Sequence, residues 1–377
     1  MQNPFKRFFT SLQPAGDSVI GIDIGSAYIK AVQLRKKGGR AILETYGALA
    51  LGPYGGLEIG RATHLPVPKL SEALRDLLRE AHTTTFHGAS AIPFSSSLVT
   101  SIEMRVLDEK ELQNTVPIEA RKYIPVPISE VNLDWWVIPP EPGNIDASGV
   151  PESQKTALTA FGGEQTAKKV QILIAAIHNE AMSRFTGVCT GAGVQASFYE
   201  IELFSTIRAL LGNDREPHAL LDLGAGETKL YIIDRGMVKV SHIINHGAQD
   251  LTLALSRSLT ISVEEAEEKK RSEGVSGDTA KSLTGILNVV FSDVARAIKS
   301  FEEKNNRVVS EVVLSGGGAG LKGIEDIATT SFNVPVRPAD PFRQVEAPAF
   351  LDDVLKRVGP EFSVAVGVAF RKLQEGA

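Results

Sequence analysis

Two stretches of this chain end a run of apolar residues on an aspartate, turn on glycine and go straight back into apolar residues. The first is VIGIDIGSAYIKAVQL, residues 19–34, which brings Asp23, Gly25 and Ser26 to a turn. The second, PHALLDLGAGETKLYIID, residues 217–234, does the same with Asp222, Gly224, Gly226 and Thr228. Taken singly, either is an ordinary β-hairpin. Taken together, about two hundred residues apart, they suggest two lobes that each present one carboxylate to a shared site. Glycine lets backbone N–H groups approach phosphate oxygens. The Ser26 and Thr228 hydroxyls add donors. Two carboxylates can hold a hydrated Mg²⁺, directly or through water, and one can orient an attacking water. The chemistry indicated is phosphate and metal binding.

A third stretch, LSGGGAGLKG at 314–323, places glycines between a strand and a helix. Residues 318–323 also fit G-x-G-x-x-G, and Asp340 lies about twenty residues on. That is the dinucleotide fingerprint. Against it, no full strand–helix–strand unit leads from the motif to a ribose-binding acid, and Asp340 sits in the loop PADPF. A plain glycine turn is the remaining reading. His242 and His246 are spaced i, i+4 but lack an acidic third ligand. Cys189 lies in a glycine-rich turn without a motif partner. Trp135 and Trp136 read as core and rim rather than a stacking surface for bases.

These residues need elements to position them. The chain has 377 residues, 43% hydrophobic and 23% charged, and predicts two lobes or one lobe with insertions. A net charge of −5 gives no electrostatic case for nucleic acid. One cysteine fits a reducing compartment, and no run reaches the roughly 20 apolar residues of a membrane span. The expected location is cytoplasmic. Near the start, Phe5, Phe8, Phe9 and Leu12 would share one helix face around Lys6 and Arg7. Strands are expected at 19–34, 41–49, 88–104, 131–138, 170–179 and 217–234. Helices are expected at 71–82, 108–124 (kinked or broken at Pro117) and through most of 249–304, with an apolar helix closing the chain. Residues 139–167 carry few large apolar side chains and read as a surface loop.

Two Asp-x-Gly loops followed by SGGGA, in this order, resemble the actin-like ATPase superfamily. Within it the chain resembles the FtsA-like PilM family of type IV pilus assembly proteins over nearly its whole length. The most specific stretch is SSSLVTSIEMRVLDEKELQNTVPIEARKYIPVPISEVNLDWWVI, which looks like the extra subdomain that PilM and FtsA carry within the first lobe. VQILIAAIHNEAM, VEEAEEKKRSEG and VPVRPADPF also match PilM patterns.

The resemblance implies an α/β, actin-like, two-lobed fold. Lobe I would take 17–84 and 168–215, with the closing helix 347–377 packed back on it. The insertion would take 85–167, lobe II 216–346, and 1–16 would be an N-terminal segment. ATP and Mg²⁺ would bind between the lobes. Asp23 would help hold the metal, with Gly25 and Ser26 facing the phosphates. Asp222, Gly224, Gly226 and Thr228 would form the second clamp, and Asp222 and Glu202 could orient water. Glu267 and Lys270 would meet ribose and adenine, or lie on a solvated helix face. Gly316, Gly317 and Gly318 would lie against adenosine. Glu227, beside the second loop, would be repelled by triphosphate; it either points away or weakens binding, so turnover should be slow or absent. The implied partner is the cytoplasmic N-terminal peptide of a PilN-like inner-membrane protein, bound in a nucleotide-sensitive way on or beside the insertion, near residues 97–104, 131–138, Tyr123 and Ile124. That would place the protein at the inner face of the membrane. The alternatives are a small-metabolite kinase of the same superfamily and an FtsA-like filament-forming division protein; the second is disfavoured because no amphipathic tail follows QEGA.

Overall fold

A computed structural model describes residues 18–106, 109–138 and 168–375. The expectations for the N-terminal segment and for loop 139–167 lie outside the described residues. The chain divides into two compact units; in described residues the smaller begins at Ser95 and ends at Met182, and the larger takes the rest.

The larger unit contains two sheets built to one plan. In the first, β1 (Ser18–Ile24) pairs antiparallel with β2 (Tyr28–Lys37), which pairs with β3 (Arg40–Ala50). On its other side β1 runs parallel to β4 (His87–Ile92), and β4 to β8 (Gln195–Ile201). Between β3 and β4 lies α1 (Val67–Glu80), whose Leu70, Leu74, Leu77 and Leu78 bury one helical stripe. A two-residue strand, β14 (Val345–Glu346), extends the sheet beyond β3. In the second sheet β9 (His218–Leu223) takes the place of β1. It pairs antiparallel with β10 (Thr228–Asp234), which pairs with β11 (Met237–Ile244). On its other side stand parallel β12 (Glu311–Ser315) and then β13 (Val336–Pro338). The near-complete burial of β1 and β9 is what central strands of a two-sided sheet require.

Three helices follow β11: α5 (Ala248–Leu259), α6 (Val263–Glu273) and α7 (Gly277–Asn305). Leu251, Leu255, Leu283, Leu287, Phe291 and Ile298 from them fill the core beneath the second sheet. The strands β12 and β13 do enclose a helix, α8 (Ile324–Phe332), so the strand–helix–strand unit not expected there is present.

The closing helix, α9 (Asp352–Glu375), packs on β1, β2, β4 and on α4 (Glu202–Leu210). The approach to α4 is close: a Cβ at Gly367 would fall 1.9 Å from the Ser205 carbonyl oxygen. Arg371 fixes the far end. Only 1% exposed, it donates to Glu200 at 2.9 Å and lies 4.0 Å over the Phe198 ring, while Arg208 grips the same carboxylate at 2.6 and 3.0 Å.

The smaller unit is a three-stranded antiparallel sheet with β7 (Lys168–His178) between β5 (Ser97–Val106) and β6 (Val131–Ile138). Among the described residues a helix, α2 (Glu109–Ala120), covers it through Leu112, Val116 and Ala120. Helix α2 passes through Pro117 and ends at Ala120, short of 124. The expected edges of the insertion, 85 and 167, also move. His87–Ile92 finds its parallel partners in the first large sheet, and Lys168–His178 is the middle strand of the small one. The chain then leaves through α3 (Asn179–Gly191), which straddles the boundary.

Candidate functional site

Asp23 and Asp222 are the next-to-last residues of β1 and β9, at the carboxyl ends of central strands, where open α/β sheets place their ligands. Each turn is closed by its glycine amide. Gly25 N–H donates to Tyr28 O at 2.9 Å and Gly224 N–H to Glu227 O at 3.1 Å, so both are spent inside the turns. The tips of the two hairpins meet. A Cβ on Gly226 would lie 3.6 Å from Ser26 Oγ and 3.8 Å from Ala62 Cβ. Thr228 does not join them. It shares the core-facing side of β10 with Leu230 and Ile232, is 1% exposed, and its hydroxyl donates to His246 O at 2.7 Å.

Helix α5 supports the second loop from below, with Ala248 N–H and Gln249 N–H donating to the Gly224 and Ala225 carbonyls at 2.8 and 2.9 Å. The Gln249 side chain reaches the other lobe and accepts Ala62 N–H at 2.8 Å, while Thr63 N–H donates to Ser26 O at 2.9 Å.

The third glycine stretch packs onto the Asp222 loop. Gly316 has φ +81°, and a Cβ there would fall 2.3 Å from Asp222 Oδ1, so both conformation and space demand glycine. Its N–H donates to Pro360 O in α9 at 2.8 Å. Gly318 lies against Leu223, whereas a Cβ on Gly317 would meet nothing within 4 Å. Gly317 therefore borders open space, and the loop serves the Asp222 turn rather than standing alone as a dinucleotide fingerprint.

Glu267 and Lys270 are 8% and 7% exposed, which removes the solvated-face alternative. Lys270 Nζ donates to Glu267 at 2.6 Å, Thr252 Oγ1 at 2.8 Å and Ala248 O at 3.1 Å. Burial pushes Lys270 below the usual lysine range against the pull of Glu267. The next residue, Arg271, donates to Glu267 at 2.7 Å and to the Tyr28 hydroxyl at 2.7 Å, joining α6 to the first hairpin.

Two lysines complete the site, and the sequence reading passed over both. Lys30 stands directly opposite Asp23 in the β1–β2 register and binds it at 3.2 Å. Lys229 stands opposite Asp222 in the β9–β10 register. Its ammonium lies 2.7 Å from Glu202, 3.5 Å from Glu227 and 3.6 Å from Asp222. The signal was available: in both motifs a lysine follows the aspartate by seven residues. Burial opposes the charge on Lys229, but Glu202 and Asp222 outweigh it and hold the lysine well above its usual range. Burial pushes Glu202 up, with Lys229 pulling against it. Glu227, the departure beside the second loop, thus has a cation to face. Glu361, next to Pro360, is raised by burial against the pull of Lys30 and Arg271. The Tyr231 hydroxyl, on the same face of β10 as Lys229, is buried and has no hydrogen-bond partner among the described residues.

Elsewhere, no cluster of three or more metal-ligating side chains occurs among the described residues. His246 faces Asp250 at 3.6 Å. Burial pushes the Cys189 thiol up to about 11, as an inert core cysteine requires. Gly317 leaves the room a side chain would fill beside the Asp222 turn, and Gly226 sets the second loop against Ser26; this arrangement fits a phosphate chain and its nucleoside.

A sequence model of the type IV pilus assembly protein PilM matches residues 21–151 and 161–373. A chain of a PilM–PilN type IV pilus biogenesis complex superposes with a TM-score of 0.75 at 25% identity, covering 94% of this chain and 98% of that one. The cell division protein FtsA of Neisseria meningitidis serogroup B is 24% identical over 356 residues, 85% of this chain and 82% of its own. The ethanolamine utilization protein EutJ from Carboxydothermus hydrogenoformans shares the fold at a TM-score of 0.52 and 16% identity, covering 97% and 93%. The fold is the actin-like α/β arrangement that the sequence resemblance implied.

Proposed function

This chain belongs to the PilM family of type IV pilus assembly proteins, and from that premise we propose that it binds ATP between its two hairpin loops and acts as a nucleotide-dependent docking protein. The observation that carries the reading is the meeting of two Asp-ended hairpins from sheets of one plan, Gly226 against Ser26, with the Gly316–Gly318 turn set on Asp222. Asp23 and Asp222 would hold the waters of a hydrated Mg²⁺, which supplies charge screening for the phosphates. The Ser26 hydroxyl and the loop amides at Gly226 would donate to phosphate oxygens. Gly317 would border the nucleoside, and Glu267 with Lys270 would present their fixed network to its ribose and base. With Gly25, Gly224 and Thr228 committed internally, their part is to shape the loops.

The partner proposed is the cytoplasmic N-terminal peptide of a PilN-like inner-membrane protein, and through it a place at the inner face of the membrane. The smaller unit supports a peptide site: β5 and β6 each pair only with β7 among the described residues, so each offers a second edge to an extended segment. Tyr123 is 46% exposed, while Ile124 belongs to the unit's core. A synthetic peptide from the N-terminus of the PilN-like protein is expected to bind the full chain with an affinity that changes when ATP is added. Binding indifferent to ATP would remove the nucleotide-sensitive part of the proposal, and no binding would remove the partner.

A further inference from the structure

We propose that Lys229 is a positioning residue that holds Glu202 in a buried ion pair and so keeps this carboxylate from activating water at the second phosphate loop. The inference rests on the reading of the cleft as an ATP site. Hydrolysis there requires a base that takes a proton from water as the water oxygen bonds to the γ-phosphorus. The β–γ bridging oxygen then leaves with ADP, and the proton stays on the base.

Glu202 opens α4 beside the Asp222 loop and is the carboxylate placed for that task, yet one of its oxygens is already taken twice. Oε1 accepts Phe94 N–H at 2.6 Å and the Lys229 ammonium at 2.7 Å. Both side chains are over nine-tenths buried, so water does not screen the pair. The ammonium and the Phe94 amide both oppose protonation of this carboxylate, so it accepts a proton less readily than its burial alone would allow. Lys229 is held in turn: it projects from β10 opposite Asp222, with Asp222 and Glu227 within 3.6 Å. The other titratable group on that face of β10, Tyr231, has an edge-to-face contact with Phe94 at 5.2 Å between ring centroids, and its hydroxyl has no partner among the described residues. The second loop thus has one carboxylate placed for a hydrolytic water, and one lysine that ties that carboxylate up.

The test is Lys229→Met in the full chain, with Lys229→Gln as the milder variant that keeps a donor toward Glu202. Single-turnover hydrolysis and equilibrium ATP affinity are measured separately, and thermal melts are taken without nucleotide. Expected is a single-turnover rate at saturating ATP raised about tenfold or more while ATP affinity stays level or falls, a split that a merely structural role would not produce. The double variant Glu202→Gln/Lys229→Met should lose the gain. In the melts, the double variant should lose less than the sum of the single losses, as a direct pair requires. A folded Lys229 variant that binds ATP but hydrolyses it no faster overturns the inference alone. Additive melts overturn it as well. Failure of the wild-type chain to bind ATP overturns the cleft reading and this inference with it.

Discussion

Glu200 and Arg371 show how much one buried pair does in this fold. Both are 1% exposed at their side chains, and with Arg208 they clamp α9 to β8 and α4. Removing one partner leaves a buried charge, so Arg371→Met is expected to cost about 3–5 kcal/mol of stability in denaturant unfolding. Burial works to raise the Glu200 carboxyl, but Arg208 and Arg371 outweigh it and hold it below the usual carboxylate range. A carboxyl depressed in the folded state stabilises fully above its unfolded value, about 4.3, and loses that contribution as pH falls through the folded one. Glu200→Gln should therefore lower stability at neutral pH and flatten the acid limb of the stability curve; a variant whose acid limb matches wild type would refute the assignment. At this scale the sequence was half legible. Asp23 and Asp222 could be picked out because strands seldom end on a carboxylate twice in the same pattern. Lys30 and Lys229 were missed because a lysine in a strand looks like an outward-facing residue until the register sets it opposite an aspartate.

Elements explain why some expected donors were misjudged. A two-residue alternation decides which β10 side chains face the core, and it turns Thr228 inward with Leu230 and Ile232. A charge-rich segment such as α6 reads as a solvated face, yet Ser262 caps it and the Gly60 turn and α5 bury Glu267 and Lys270. The edges of the insertion were misplaced for a similar reason: apolar runs reveal that strands exist, whereas their pairing partners lie far off in sequence. The Gly316 turn is the sharpest test at this scale. Gly316→Ala forces a left-handed φ on alanine and a 2.3 Å contact with Asp222. It should cost about 1–3 kcal/mol and weaken ATP binding by more than tenfold, since the displaced group is Asp222 itself. Unchanged ATP affinity in a destabilised protein would show that the turn is structural only. Arg271→Ala, which cuts the link from α6 to Tyr28, should speed nucleotide release in stopped-flow displacement; an unchanged off-rate would show that this bridge does not close the cleft.

At the scale of the whole molecule, the repeat of one strand order in two sheets is what the paired aspartates foretold, and no local pattern could have supplied the crossovers that build it. The carboxylates around the two loops and α6, Asp23, Asp222, Glu202, Glu227, Glu267 and Glu361, outnumber the cations Lys30, Lys229, Lys270 and Arg271. Such a site repels free triphosphate, so the nucleotide must arrive with its charge screened. Saturating ATP with magnesium should stabilise the chain by roughly 2.7 kcal/mol at a hundredfold excess over Kd, readable as a rise in melting temperature, and ATP with EDTA should not. The most direct measurement is calorimetric titration of the purified full chain with ATP, run with magnesium, with EDTA, and on Asp23→Ala with magnesium. One nucleotide bound per chain in the first case, with affinity at least tenfold weaker in the other two, is the predicted result. No binding, or equal affinity in all three, would contradict the account.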